Sequence, residues 1–97
     1  MASYISMINY TDQGIRNMKD ASQRVAAAKG AFKAAGGELT HFFLTMGRYD
    51  AIAISELPNV GAAATLSLAI GSQGNIRTET MRAFNEDEMQ SIIGKLP

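Results

Sequence analysis

The chain has 97 residues, room for a single domain spanning 1–97 in which only about 60 to 65% of the unfolded surface is buried on folding. Nine basic residues balance nine acidic ones, so no global field holds a phosphate backbone, and nucleic acid is not an expected partner. With 46% apolar and 19% charged residues and no cysteine, the composition specifies a packed core and excludes disulfides, thiolate metal sites and a cysteine nucleophile.

The segment from Met1 to Tyr10 lacks the basic start and long apolar stretch of a secretory signal, and no run approaches the ~20 apolar residues of a membrane span. The expected location is the cytoplasm, with no membrane partner. Tyr4 to Tyr10 reads as a strand with apolar residues on both alternating faces, Ile5 and Met7 against Tyr4 and Ile8, the pattern of a strand covered on two sides. Thr11 is placed to cap a helix, and Tyr10 and Ile15 stand at the two positions of a hydrophobic staple around it. One long helix is expected from there, with Ile15, Met18, Val25, Ala28, Phe32 and Ala35 recurring at threes, fours and sevens, and Arg16, Lys19, Arg24, Lys29 and Lys33 mostly outside that stripe. Gly36-Gly37 ends it, because a helix C-terminus favours the left-handed conformation open to glycine.

Glu38 to Met46 and Asp50 to Glu56 read as strands. Leu39, His41 and Phe43 fall on one face of the first, and Ile52 and Ile54 share a face of the second. Gly47-Arg48-Tyr49 forms the turn between them. Pro58 and Asn59 open a helix running to about Ile70, closed by Gly71 to Gly74. No charge lies between Glu56 and Arg77. Val60, Ala63, Ala64, Leu66, Leu68 and Ile70 surround that helix axis, which therefore calls for burial on more than one side. Ile76 to Phe84 alternates as a last strand, Arg77, Glu79 and Met81 on one face and Thr78, Thr80 and Arg82 on the other. Asn85 then caps a final helix. Glu88 completes a capping box, Phe84 and Met89 stand as a staple, and Met89, Ile92, Ile93 and Leu96 form one apolar stripe.

The order βαββαβ, followed by a helix, specifies an α+β fold of the ferredoxin-like kind: an antiparallel sheet with two crossovers and both main helices on one face. The other face stays bare although the strands carry apolar residues on both sides. A bare apolar face is an association surface, so the expected partner is a second copy: a homodimer of stacked sheets, or a larger closed oligomer.

Several stretches carry a resemblance. Thr11-Asp12-Gln13-Gly14-Ile15, Gly36-Gly37, Gly47-Arg48-Tyr49-Asp50, Glu56-Leu57-Pro58 and Gly74-Asn75-Ile76-Arg77-Thr78-Glu79-Thr80 resemble the signatures of the GYD domain family, small and mostly prokaryotic proteins, over nearly the whole chain. The Gly-Tyr-Asp signature carries Arg48 as an insertion here, and Asn59-Val60-Gly61 stands where more acidic residues are expected. The resemblance implies a dimeric α/β-barrel assembly and assigns no reaction.

The candidate ligand-binding residues are His41, Tyr49, Asp50, Arg77 and Glu79. His41 is the sole histidine, with no second ligand at metal spacing, so no metal or cofactor is expected. It is a packed or interfacial residue, or a general base lining a cavity. Tyr49 and Asp50 either build the turn or stand at a cavity mouth, and Arg77 and Glu79 either pair or hold a carboxylate. Gly71-Ser72-Gln73-Gly74 lacks nucleophile-elbow spacing, and no phosphate-loop motif occurs. Three functions remain: a homodimer binding a small molecule where the sheets meet, a cofactor-independent oxygenase or isomerase of the dimeric barrel type, and an assembly module with a filled interior.

Overall fold

A computed structural model describes residues 1–97. Its sheet has β1 (Ala2–Tyr10) and β3 (Ala51–Leu57) in the centre and β2 (Glu38–Leu44) and β4 (Ile76–Ala83) at the edges, in the order β2-β3-β1-β4 with every pair antiparallel. This is the ferredoxin-like arrangement expected from βαββαβ order. Strand periodicity of two divides the side chains cleanly. Tyr4, Ile8, Ala51, Ala53, Ser55 and Leu57 are buried on the face that carries helices α2 (Ala21–Ala34) and α3 (Val60–Gly71). Ile5, Met7, Ile52, Ile54, Arg77, Glu79 and Met81 alternate onto the other, open face.

The expected single long helix is instead two. Thr11 caps the short α1 (Asp12–Arg16), its Oγ1 accepting the Gly14 N–H at 3.1 Å. The chain then turns through Asn17 and a 3₁₀ turn at Met18–Asp20 before α2 begins. Asn17 carries the break, since its carbonyl takes the Asp20 N–H at 3.0 Å in a tight turn and Arg24 Nη1 at 2.9 Å. Ile15 lies outside the core, 56% exposed, because α1 packs through Gly14 against the loop before β4. At the other end of α2 a Schellman motif forms. Gly37 N–H donates to Phe32 O at 2.9 Å and Gly36 N–H to Lys33 O at 3.0 Å, with Gly36 at φ 85°.

Asn59 caps α3 despite the missing acidic residues, its Oδ1 accepting the Ala62 N–H at 2.9 Å. Within one chain α3 is covered on one side only. Ala63 and Leu66 are buried, while Val60 and Leu68 are 69% and 75% exposed, so the all-round apolar character finds no second cover inside the chain. The core is correspondingly thin: Tyr4, Leu57, Ala63 and Leu66 form one cluster, Ile8, Leu39, Ala51 and Ala53 another, and Phe32 packs on both.

The last helix, α4 (Glu86–Ile93), has the full capping box: Asn85 Oδ1 accepts the Glu88 N–H at 2.8 Å and Glu88 Oε1 accepts the Asn85 N–H at 3.0 Å. It is tied to the sheet by the Arg82–Glu88 ion pair at 3.0 Å. Its stripe of Met89, Ile92, Ile93 and Leu96 stays exposed. The Cα radius of gyration, 14.6 Å, exceeds the about 12.5 Å of a compact chain this long, as a projecting element requires. The Asn85 N–H and then the Arg82 guanidinium hold the Glu88 carboxyl below its ordinary 4.5. Because the folded value is the lower one, this contribution is complete above 4.5 and is lost as pH falls through the folded value. Protection factors of the α4 amides, corrected for the intrinsic pH dependence of exchange, should therefore fall on acidification into that range. Asn85→Ala should lower the opening free energy of the same amides by about 1 kcal/mol at neutral pH.

Candidate functional site

On the open face Ile5, Met7, Ile52, Ile54, Phe43 and Met81 form an apolar field on four adjacent strands, with no helix or loop layered over it. Phe43 is 51% and Met81 47% exposed. Polar side chains flank this field. Tyr49, in the loop between β2 and β3, reaches across β1 to β4, where its hydroxyl donates to Oε2 of Glu79, the residue facing Met7, at 3.3 Å. The Arg48 guanidinium lies 6.0 Å from the centre of the Tyr49 ring. Arg77 stands two residues from Glu79 on the same face, opposite Asn9, and makes no ion pair.

His41 lies on the open face with Phe43, as its spacing implies, but without Leu39. The register shifts between Leu39, which faces Ser55, and His41, which faces Ile54. Thr40 is the extra residue, its hydroxyl donating to Ile54 O at 2.9 Å. This bulge sends Leu39 under the helices and His41 to the open face, where its ring stacks on Phe43 with centroids 6.0 Å apart. His41 and Leu39 therefore do not share a face. Because β2 and β4 are opposite edges, three strand spacings separate them, roughly 14 Å. One chain thus unites Tyr49 and Glu79, with Arg77 beside them, and leaves His41 at the far rim.

Asp50 is engaged in architecture. Its Oδ2 accepts the Tyr10 N–H at 2.9 Å, while its own N–H donates to Ile8 O at 2.8 Å and its carbonyl accepts the Thr45 N–H at 2.9 Å. Gly47 at φ 106° supplies the turn, and Thr45 Oγ1 donates to Tyr49 O at 2.7 Å. The carboxylate thereby sets the loop from which Tyr49 projects. Asp50→Ala should cost about 2 kcal/mol in urea unfolding, through loss of a charge-assisted bond to the backbone. Asp50→Asn retains an acceptor oxygen and should cost less.

The model of the GYD domain family matches residues 4–93. The chain belongs to the GYD domain family. The Gly47, Tyr49 and Asp50 of its signature are therefore the turn, the projecting phenol and the clamp on β1 just described. A solved structure of TTHA0845 from Thermus thermophilus is similar in fold, with a TM-score of 0.56 and 23% identity, covering 88% of this GYD chain and 95% of the other. No curated protein sequence matches. No helix is long and apolar enough to cross a membrane, and no three His, Asp or Glu side chains gather where a metal ion would sit.

One feature of this GYD domain lies outside the residues singled out by sequence. Between α2, α3 and the sheet is a cavity of about 150 Å³, with Arg24 in its wall. Its sequence signal is the run of small residues along α2, where Ala21, Ala27, Ala28 and Ala31 all line it.

Proposed function

We propose that this GYD domain works as a cytoplasmic homodimer in which two open sheet faces stack, and that it binds a small molecule at the rim of that interface through Tyr49, Glu79, Arg77 and His41. The observation that carries the reading is the uncovered apolar field of six side chains bordered by the Tyr49–Glu79 hydrogen bond. Apolar surface of that extent favours burial in proportion to its area, and a twofold stack covers both copies at once. Two further surfaces support association: the exposed stripe of α4 and the outer side of α3, with Val60 and Leu68 facing solvent. The polar groups suit a ligand with a donor and an acceptor. Glu79 and the phenol accept and donate, the free guanidinium of Arg77 takes an anionic group, and the second copy adds what one chain leaves distant. Asp50 acts as a positioning residue, holding the Tyr49 loop against β1.

Native mass spectrometry of the purified protein tests both halves. The expected spectrum is of twice the chain mass, with a carried small molecule. Tyr49→Phe and Arg77→Met should each lower ligand occupancy about tenfold while the dimer persists. A strictly monomeric mass at high concentration removes the dimer, and undiminished occupancy in folded, dimeric variants removes the assigned residues.

A further inference from the structure

Protein interiors are packed nearly as densely as organic crystals, so a cavity of about 150 Å³ in so small a chain needs an account. Its origin is geometric. α2 rests against β2, and α3 against β3 and β4, so the two helices sit over different strands of the same face and the seam between them is left to small side chains. Ala28 and Ala31 of α2 and Ala53 of β3 end short of one another where larger residues would close the gap. Ile8, Phe32 and Leu66 complete an apolar wall.

The chemistry of the wall is uneven. Among the lining residues Arg24 alone is charged, and none is acidic. Its Nη1 donates to Asn17 O, but its Nη2 is screened from solvent and meets no acceptor. A guanidinium offers its donors as a fixed fork suited to a carboxylate, and Arg24 is the one such group in the cavity wall. Buried donors of this kind are normally satisfied.

We propose that this cavity is a ligand site distinct from the sheet face, and that it takes a small apolar carboxylate, its hydrocarbon ring or branched chain among Ile8, Phe32 and Leu66 and its carboxylate on Arg24. The volume suits one six-membered ring, since about 150 Å³ holds benzene, and the site opens to solvent past polar residues such as Gln73 and Thr78. The absence of any acidic residue removes competition for the guanidinium, and low local polarity strengthens the charge-assisted bond. A neutral molecule of the same shape fills the same space and brings the guanidinium no anion.

The test is a ¹H–¹⁵N NMR titration with cyclohexanecarboxylate and, in parallel, cyclohexylmethanol. Saturable shifts are expected at Ala28, Phe32, Leu66 and Ile70, with the acid bound at least tenfold more tightly than the alcohol. Arg24→Met should bring the two affinities together, and Arg24→Lys should restore part of the preference. Ala28→Leu, which fills the space and leaves Arg24 in place, should abolish binding of both without lowering the melting temperature. The proposal is overturned by equal affinity of acid and alcohol for the natural chain, by an unaltered preference in a folded Arg24→Met, or by shifts confined to Ile52, Ile54 and Met81 on the open face. It is equally overturned by no saturable shift at about 10 mM acid, where even inefficient binding by about nine non-hydrogen atoms reaches half-saturation.

Discussion

In the proposed dimer of stacked open faces, Ile54→Glu should leave a monomer, read as a halving of mass by light scattering at micromolar concentration. Ile54 lies at the middle of the open face, facing Ile5 on one neighbouring strand and His41 on the other. In an isolated chain a glutamate there meets water and costs the fold little. Between two stacked sheets the same carboxylate is stripped of water among the isoleucines and methionines of the field, a penalty of several kcal/mol. The dissociation constant should rise at least about a hundredfold, equivalent to ~2.7 kcal/mol. A variant that keeps both the dimeric mass and the native affinity would place the interface elsewhere, with the stripe of α4 or the outer side of α3 as the surfaces left to carry it.

The second large effect is expected at a glycine. Gly14 is buried where α1 meets the loop before β4, and a Cβ added there runs into the Asn75 backbone carbonyl. That contact cannot relax cheaply, because the loop is clamped from several directions. Thr11 N–H donates to Asn75 O at 3.0 Å, Thr11 Oγ1 to Gly74 O at 2.6 Å, and Gln13 Nε2 to Gln73 O at 3.0 Å and to Asn75 Oδ1 at 3.1 Å. Gly14→Ala should therefore cost about 3 kcal/mol in urea unfolding, the upper part of the range for overpacking. Gly30→Ala supplies the opposite sign. Gly30 is exposed inside α2 with open space around the added methyl, so the substitution should stabilise by about 0.5–1 kcal/mol through helix propensity and reduced freedom of the unfolded chain. Equal effects at the two positions would mean that α1 does not pack on the loop as described.

The strands were legible because alternation is a local property. Arg77, Glu79 and Met81 share the open face, and Thr78, Thr80 and Arg82 the other, as their spacing alone requires. The capping box at Asn85 was equally legible, since its partners lie within one helical turn. Leu39, which spacing groups with His41 and Phe43, lies on the other face because a bulge at Thr40 inserts one residue between two correctly alternating pieces, and a single extra residue exchanges the faces of everything beyond it. The helix break at Asn17 was hidden for a similar reason: Ile15 and Met18 keep helical spacing across a turn that the hydrogen bonds of Asn17 carry. Arg24 read as a solvent-facing cation by periodicity. Its guanidinium instead turns back to the helix break, where Nη1 donates to Asn17 O, and that contact exists only because the helix is interrupted.

The irregularity at Thr40 also governs how copies of this chain avoid meeting. β2 is an outer strand, and an outer strand with an unbroken row of amide and carbonyl groups invites another chain to add on sideways, strand after strand, toward a fibre. With Thr40 spending its hydroxyl on Ile54 O and throwing the spacing out by one residue, the edge offers no continuous template, and sideways growth stops where it would begin.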